Sequence, residues 1–255
     1  MMKLKDWVTL GNLLCGFASV IALFHHEFKL ASYLILFGYV FDALDGVVAR
    51  LTKQFNKFGG ELDALCDFIT YSIAPSYLIY YAFYHHAGYP LWAAVFIGFV
   101  PTAAGAVRAA RYNVRRAEFP GFFIGLPRTA FALLVIALLN SSLFNYLGRY
   151  VSEYLYLIPL GMVLVITWFL LSLKPFVGHH DHDWGGWIIF GMWWFLLSLP
   201  VGLLGGWLLF DDPGLVFDAL LFDLIVYTCL ADFVIPKDKL TAVRAYVKEW
   251  DAMGD

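Results

Sequence analysis

Four aspartates are the residues of this sequence whose type and spacing can do chemistry. Asp42 and Asp45 stand three positions apart near the end of one apolar segment, and Asp63 and Asp67 stand four apart at the start of the next. Residues three or four apart share one face of a helix, so each pair projects in a single direction. Two antiparallel helices with a short connection can turn both faces toward each other.

The four carboxylates would repel one another, so such a cluster requires positive charge nearby. Four carboxylates in one place need neutralisation, and the neighbouring Arg50 supplies only a single positive charge. All-oxygen, carboxylate-rich sites suit hard ions such as Mg²⁺ or Mn²⁺. Two such ions clamp the attacking and leaving oxygens of an in-line displacement at phosphorus. The spacing therefore predicts a site for hard divalent ions, of the kind used for displacement at phosphorus.

Small residues beside the aspartates favour a binding site over simple helix caps that meet lipid headgroups. Gly46, Ala49 and Gly59 leave room for a flat group, such as a nucleotide base, to approach the backbone. Capping alone would explain one or two aspartates at helix ends. It does not explain four on two facing helices.

Composition indicates which elements position these residues. The 255 residues are 61% hydrophobic, 19% aromatic and 15% charged, whereas a soluble domain is about 45–50% apolar and about 25% charged. This excludes an ordinary soluble enzyme, a disordered chain and a nucleic-acid binder, and it predicts an all-α, polytopic integral membrane bundle. A membrane helix needs about 20 mostly apolar residues. That length predicts eight transmembrane helices, at 7–24, 30–48, 62–84, 90–107, 122–140, 154–173, 186–210 and 214–233.

The distribution of Lys and Arg places both termini, and the aspartates, on the cytoplasmic side. With the N-terminus inside, 15 of these residues fall on that side and only Lys29 and Arg149 on the other. We expect three regions along the chain. Residues 1–175 form a six-helix core, residues 176–235 add two transmembrane helices, and residues 236–255 form a polar, amphipathic cytoplasmic helix.

The aspartates belong to a longer pattern. It runs Asp42-x-x-Asp45-Gly46-x-x-Ala49-Arg50 and, eight residues later, continues with Gly59, Asp63 and Asp67 at four-residue spacing. This pattern resembles the signature of the CDP-alcohol phosphatidyltransferases, integral membrane enzymes in which an alcohol displaces CMP from a CDP-linked lipid.

That resemblance implies roles for the signature residues. Asp42, Asp45, Asp63 and Asp67 would hold two Mg²⁺ or Mn²⁺ ions, and Asp67 would also be the catalytic base. A homodimer in the cell's inner, cytoplasmic membrane is implied as well. The residues expected to line the CDP-lipid pocket are Thr9, Asn12, Gly46, Ala49, Arg50, Asn56 and Gly59.

Further stretches resemble one subgroup of that family, the membrane-bound phosphatidylserine synthases. They are residues 9–16, residues 67–75, the element Arg108-x-x-Arg111-Tyr112-Asn113 and residues 123–127. This implies transfer of the phosphatidyl group of CDP-diacylglycerol to L-serine. Two departures are Asp6, where the subgroup usually has Asn, and Arg128-Thr129, where it usually has a small residue and Pro.

Serine carries a carboxylate, which arginine binds through two parallel hydrogen bonds. The residues predicted to bind the acceptor are Arg108, Arg111, Asn113 and Arg128. Arg115 and Arg116 are interpreted as topology residues that contact anionic lipid. The histidine-rich stretch from His179 to His182 has the composition of a metal-binding tract, but a solvated loop is the preferred interpretation.

Two alternatives stay open at this point. The acceptor can instead be choline, which would favour an aromatic cage, inositol or glycerol phosphate. The second alternative is a transporter with an intramembrane acidic cluster. A transporter predicts charges near the bilayer midplane and inverted repeats, and the sequence around the four aspartates shows neither.

Overall fold

A computed structural model of the chain describes residues 2–52, 57–114, 122–142, 157–177, 197–208, 214–230 and 237–252. Four of the sequence predictions fall outside these residues, namely those on Asn56, Arg115, Arg116 and the tract from His179 to His182. Within the described residues the fold is helical, as predicted, with one pair of very short strands as the exception.

Three long helical segments form the N-terminal half of the bundle. Helix α1 spans Leu4–Phe24 and α2 spans Phe28–Thr52. The third segment is a single run that begins with α3, Lys57–Phe68, passes through a π-helical turn at Ile69–Ile73, and continues as α4, Ala74–Tyr81. A second π-helical turn, Ala82–His86, ends it. Helix α1 packs along α2 and against α3, so it contacts both helices that carry the aspartates.

Two further helices surround this group. Helix α5 spans Leu91–Val114 and packs on α4. Its Gly98 permits that contact, because a Cβ there would lie 2.8 Å from the carbonyl oxygen of Ser76. Helix α6, Arg128–Asn140, is buried along nearly its whole length and lies at the centre of the hydrophobic core.

The predicted fifth helix, 122–140, is only partly helical. Residues Phe122–Ile124 form strand β1, which pairs antiparallel with strand β2, Pro175–Val177, directly after helix α7, Leu157–Leu171. Gly125 follows β1 with φ of 74°, a conformation that glycine adopts readily. Pro127 then caps α6 at its N-terminus. Arg128 is therefore the first residue of α6.

Three helices are described in the C-terminal part. Helix α8 spans Leu197–Leu208. Helix α9 spans Leu215–Ile225, continues as a π-helical turn through Leu230 and packs on α6. Helix α10 spans Lys237–Ala252 and buries Val243, Val247 and Trp250 along one face.

The outer surface of the helical bundle carries many exposed large apolar side chains. Among the described helices, α1 and α5 are long and apolar enough to cross a membrane, and α6, α7 and α8 are shorter apolar helices. Large apolar side chains such as Phe17 on α1 and Phe96 on α5 are about 60% exposed. Extensive exposed apolar surface of this kind marks a membrane or protein contact, and the chain is accordingly membrane-associated.

Candidate active site

Three of the four aspartates converge between α2 and α3. Asp42, Asp63 and Asp67 each present a carboxylate oxygen, and these oxygens all lie within 4.8 Å of one another. All three side chains are half-buried. The four-residue spacing puts Asp63 and Asp67 on one face of α3, and in the structure this face is turned toward Asp42 on α2. An arrangement of this size and chemistry fits a hard divalent cation.

Asp45 lies at the edge of this cluster and is held by α1. The Thr9 hydroxyl donates a 2.6 Å hydrogen bond to Oδ2 of Asp45 and a 3.1 Å bond to the carbonyl of Lys5. Asp45 interacts electrostatically with Asp42 and Asp63, but it is outside the group of three whose oxygens lie closest together. The sequence predicted that Thr9 lines the CDP-lipid pocket. In the structure its hydroxyl is hydrogen-bonded to the carboxylate of Asp45.

Asn12 makes the corresponding contact to Asp67. Its amide Nδ2 donates a 3.0 Å hydrogen bond to Oδ1 of Asp67. The Thr70 hydroxyl donates to the backbone carbonyl of Asn12 at 3.0 Å, which ties α1 to the third helical segment at this level. Gly16 makes the approach possible, because a Cβ there would lie 2.8 Å from the Cα of Thr70.

Tyr71 lies beside Asp42 and Asp67 and was not among the predicted site residues. It follows Asp67 by four positions, within the π-helical turn, and its side chain is fully buried. Its hydroxyl lies beside the carboxylates of Asp42 and Asp67 but meets no partner with full hydrogen-bond geometry. Its i+4 spacing from Asp67 is the sequence signal that could have identified it. π-Helical turns of this kind recur at functional sites.

Two cations flank the acidic cluster. Arg128 places Nη2 4.0 Å from Oδ2 of Asp67, and its Nη1 donates to the carbonyl of Ala64 at 3.4 Å. Lys5, on the first turn of α1, interacts electrostatically with Asp45 and Asp63. The role of Lys5 could not be predicted from spacing, because it depends on how α1 packs against the other two helices.

Arg108 and Arg111 lie next to Arg128 and bind backbone carbonyls. The buried guanidinium of Arg108 donates weakly through Nη2 to the carbonyls of Ile124 and Gly125, at 3.4 and 3.3 Å. Nη1 of Arg111 donates to the carbonyl of Leu171 at 3.0 Å. Arg108 interacts electrostatically with both other arginines, so positive charge extends from Arg128, beside Asp67, to Arg108 and Arg111.

Donor groups of these two arginines remain available to a ligand. Nε of Arg108 and Nη2 of Arg111 are buried and have no hydrogen-bond partner among the described residues. A buried donor without a partner is costly, so an anion bound there would stabilise both. Asn113, predicted to bind the same ligand, lies on the exposed side of α5.

Of the other described residues predicted to line the CDP-lipid pocket, two are buried and two are accessible. Gly59 and Ala49 are buried, and Gly59 packs against α1, because a Cβ there would lie 2.7 Å from Oδ1 of Asp6. Gly46 and Arg50 are accessible. A Cβ on Gly46 would meet nothing closer than 3.5 Å, and that atom belongs to the exposed Arg50 side chain.

A family model matches this architecture along residues 2–170, and its description is CDP-alcohol phosphatidyltransferase. The match spans two thirds of the chain and includes all four aspartates. The chain belongs to the CDP-alcohol phosphatidyltransferase family. The resemblance drawn from the aspartate pattern is thereby confirmed at the level of the family.

Several curated proteins similar to this chain carry the name CDP-diacylglycerol–serine O-phosphatidyltransferase. The chain is 34% identical over 147 residues to the CDP-diacylglycerol–serine O-phosphatidyltransferase of Methanocaldococcus jannaschii, a match that covers 56% of this chain and 65% of that protein. It is 36% identical over 131 residues to the Helicobacter pylori protein of that name, covering 50% of this chain and 53% of the relative. The Bacillus subtilis protein is 31% identical over 124 residues, with 47% and 66% covered. The chain thus matches about half to two thirds of the length of these relatives.

Proposed function

We propose that this chain transfers the phosphatidyl group of CDP-diacylglycerol to the hydroxyl of L-serine and releases CMP and phosphatidylserine. One observation carries the choice of acceptor. Arg128 lies beside Asp67, and Arg108 lies near both Arg128 and Arg111. Arg108 and Arg111 keep buried donors that no described residue uses. An acceptor with a carboxylate can bind these donors through charge-assisted hydrogen bonds, which are stronger than those a neutral alcohol can accept, whereas the positive charge of choline would be repelled. The names of the curated relatives support the same acceptor.

The aspartate cluster fits the divalent ions expected for the reaction. Carboxylate oxygens from Asp42, Asp63 and Asp67 lie within 4.8 Å of one another, and the Asp45 carboxylate stands at the edge of the group. Hard oxygen donors of this kind select Mg²⁺ or Mn²⁺. When bound, such ions would supply positive charge that offsets the charge developing on the leaving phosphate. In this proposal these four residues hold the ions.

Asp67 is the residue proposed to accept the proton of the acceptor hydroxyl. Its Oδ1 receives the Asn12 amide hydrogen bond, which fixes the orientation of the carboxylate. Its Oδ2 faces Arg128 at 4.0 Å. As the proton moves to Asp67, the serine oxygen forms a bond to the lipid-proximal phosphorus. The bond from that phosphorus to the bridging oxygen breaks, and CMP leaves with the electron pair.

The two substrates are proposed to bind on opposite sides of the aspartates. The nucleotide would occupy the side of Gly46, Ala49, Arg50 and Gly59, where the exposed Arg50 can pair with the phosphates. Thr9 and Asn12 border the same side through their bonds to Asp45 and Asp67, and Asn56 is assigned there from the sequence. The serine carboxylate would lie between Arg108 and Arg111, near Arg128, with Asn113 at the margin.

The proposed setting is the cytoplasmic membrane. The chain would cross it eight times, with both termini and the active site on the cytoplasmic side, and would assemble as a homodimer. Residues 1–175 would form the catalytic core, residues 176–235 the two additional spans, and residues 236–255 the cytoplasmic tail. The apolar outer faces of α1 and α5 and the distribution of Lys and Arg support this arrangement.

A CMP-release assay with a panel of alcohols tests the function. The purified protein, in detergent with CDP-diacylglycerol and Mn²⁺ or Mg²⁺, should release CMP on addition of L-serine and form phosphatidylserine. Choline, inositol and ethanolamine should support far less release. Preference for any of these three would overturn the serine assignment. A lack of CMP release with every alcohol, in protein that still binds CDP-diacylglycerol, would overturn the transferase itself.

A further inference from the structure

The arginines proposed to bind the acceptor rest on the backbone of two neighbouring segments, residues 122–126 and residues 169–177, which together we call the strand platform. Arg108 donates to two carbonyls of the first segment, and Arg111 donates to one carbonyl of the second. A guanidinium is a rigid, planar fork, so holding one of its nitrogens also sets where its other N–H groups point. The position of the strand platform therefore sets the direction of the donors that remain for a ligand.

Backbone hydrogen bonds join the two segments of the strand platform. Beyond the pairing of β1 with β2, the amide of Gly125 donates to the carbonyl of Lys174 at 2.9 Å, and the amide of Leu126 donates to the carbonyl of Phe169 at 3.0 Å. Gly125 fits closely here, because a Cβ would lie 2.8 Å from the carbonyl oxygen of Leu170. The two segments thus form one hydrogen-bonded unit, and a shift of one is passed to the other.

The C-terminal end of α9 holds the strand platform through two side-chain hydrogen bonds. The Tyr227 hydroxyl, on the π-helical turn Val226–Leu230, donates to the carbonyl of Val177 at 2.9 Å. In the opposite direction, Nζ of Lys174 donates to the carbonyl of Thr228, on the same turn, at 3.1 Å. The last carbonyls of a helix have no partner within it, and a cation is favourable there.

Lys174 is the junction between the arginine-bearing side of the platform and α9. Its backbone carbonyl accepts from Gly125, while its side chain donates to α9. Its ammonium also lies 5.5 and 5.2 Å from the ring centroids of Phe169 and Phe176, within the range of cation–π contact. The side chain is therefore held from several directions.

Helix α10 contacts the strand platform as well. Its Val243 packs with Phe122, at the start of β1, and Val177 packs against both. This contact is apolar, whereas the contacts from α9 are hydrogen bonds with defined directions. Of the two helices, α9 is therefore the better suited to fix the carbonyls on which the arginines rest.

We propose that the end of α9 is part of the acceptor site, and that Tyr227 and Lys174 are positioning residues that hold the strand platform in place for Arg108 and Arg111. This inference rests on the proposed function, because it takes the two arginines as the groups that bind the acceptor carboxylate. It gives the chain beyond residue 170, where the match to the family model ends, a part in binding serine.

A pair of matched variants of the full-length protein tests the role of Tyr227. Tyr227→Phe removes the hydroxyl and keeps the ring. The apparent KM for serine should rise about two- to tenfold, the scale of one hydrogen bond, while the KM for CDP-diacylglycerol should change little. Tyr81→Phe is the control, because the Tyr81 hydroxyl makes a 2.8 Å hydrogen bond with His26 at the other end of α4 from the aspartates. It should leave both KM values unchanged.

Lys174 is tested by a disruptive and a conservative substitution. Lys174→Met removes the hydrogen bond to Thr228 and the charge beside the two aromatic rings, and the KM for serine should rise about tenfold, the scale of a hydrogen bond from a charged group. Lys174→Arg keeps the charge and the donors, so it should restore most of the wild-type KM. Lys174→Met should still bind CDP-diacylglycerol as the wild type does. Loss of that binding would make Lys174 a residue that the whole fold needs, and would overturn its positioning role.

A double variant tests whether the effect passes through Arg108. In the Arg108→Ala background, Tyr227→Phe should raise the KM for serine by a smaller factor than it does alone, because the guanidinium that the platform positions is absent. The same factor in both backgrounds would overturn the link between α9 and Arg108.

The possible outcomes separate this inference from the function it rests on. Equal KM values for serine in Tyr227→Phe and Tyr81→Phe would overturn the role of Tyr227 while leaving serine transfer intact. A parallel rise of the KM values for serine and CDP-diacylglycerol would also overturn it, since the effect would not be confined to the acceptor. A wild-type protein that releases CMP with choline or inositol but not with serine would instead overturn the proposed function.

Discussion

The amide of Asn12 donates a 3.0 Å hydrogen bond to Oδ1 of Asp67, across 55 positions of the sequence. One oxygen of the proposed base is therefore fixed by helix α1, and the other remains directed toward Arg128. A carboxylate held in this way accepts a proton from one defined direction. Helix α1 thus orients the proposed base although it carries none of the four aspartates.

Asn12→Ala should slow turnover without preventing folding. A hydrogen bond to a charged group contributes about 1.5–3 kcal/mol, so we expect kcat to fall by roughly one to two orders of magnitude. Ser19→Ala is the control, because Ser19 is a buried polar residue of the same helix that bonds to Ala31, away from the aspartates. Equal kcat values for the two variants would show that the bond to Asp67 has no catalytic part.

Asp42→Ala, Asp45→Ala and Asp63→Ala should each abolish CMP release while the protein stays in the membrane. Each change removes a carboxylate from the group proposed to hold the divalent ions. Mn²⁺ binding, measured by electron paramagnetic resonance, should weaken in parallel. Glu61→Ala removes an exposed carboxylate from the same turn of α3 as Asp63 and should leave both properties unchanged. Near-normal turnover in any of the three aspartate variants would contradict the two-metal proposal.

Asp67→Asn should separate catalysis from binding. Asparagine keeps the size of the side chain and can still offer a carbonyl oxygen, but it cannot accept a proton. Turnover should fall by about two to four orders of magnitude, the usual contribution of a general base. Binding of CDP-diacylglycerol, measured in a direct binding assay, should change little. Loss of binding with unaltered kcat would make Asp67 a ligand only.

Arg108→Ala and Arg111→Ala should raise the apparent KM for serine steeply. A desolvated carboxylate that loses its partner costs about 2–5 kcal/mol. Lysine at either position should rescue only part of the effect, because it lacks the planar fork of arginine. The KM for CDP-diacylglycerol should change far less. Arg244→Ala, on the exposed side of α10, is the control and should not affect the KM for serine.

Tyr71→Phe should weaken the hold on the divalent ions. The fully buried Tyr71 hydroxyl lies beside the carboxylates of Asp42 and Asp67, where it can orient them. Without it, the Mn²⁺ concentration for half-maximal activity should rise about three- to tenfold, given about 1 kcal/mol for one hydrogen bond. Direct Mn²⁺ titration should show the same shift. Tyr80→Phe, on the same helical segment but remote from the aspartates, should show none.

The acidic cluster could be predicted from sequence because its geometry is local. Spacings of three and four put each aspartate pair on one helix face, and the structure brings Asp42, Asp63 and Asp67 together as expected. The bonds from Thr9 and Asn12 to the carboxylates were not predicted. They depend on the packing of α1 against two other helices, which no spacing within α1 records.

Residues 122–127 are not helical, although the sequence predicted a helix there, and the cause is similar. An apolar run gives no periodicity that separates a buried helix from a buried strand. The choice is made by partners remote in sequence, because Phe122–Ile124 pairs with Pro175–Val177. The docking of α10 could not be foreseen either. Its amphipathic pattern predicts one buried face, but it does not say whether lipid or protein covers that face.

The shortness of α6 has a consequence for how a soluble and a lipid substrate meet. Its 13 residues rise about 20 Å, roughly 10 Å less than the hydrocarbon core of a bilayer. In the proposed membrane setting, α6 alone therefore cannot span that core. Its cytoplasmic end, which carries Arg128, would be the place where serine from the cytosol reaches the protein. The CDP-lipid can react with its acyl chains still in the leaflet, without being lifted into water.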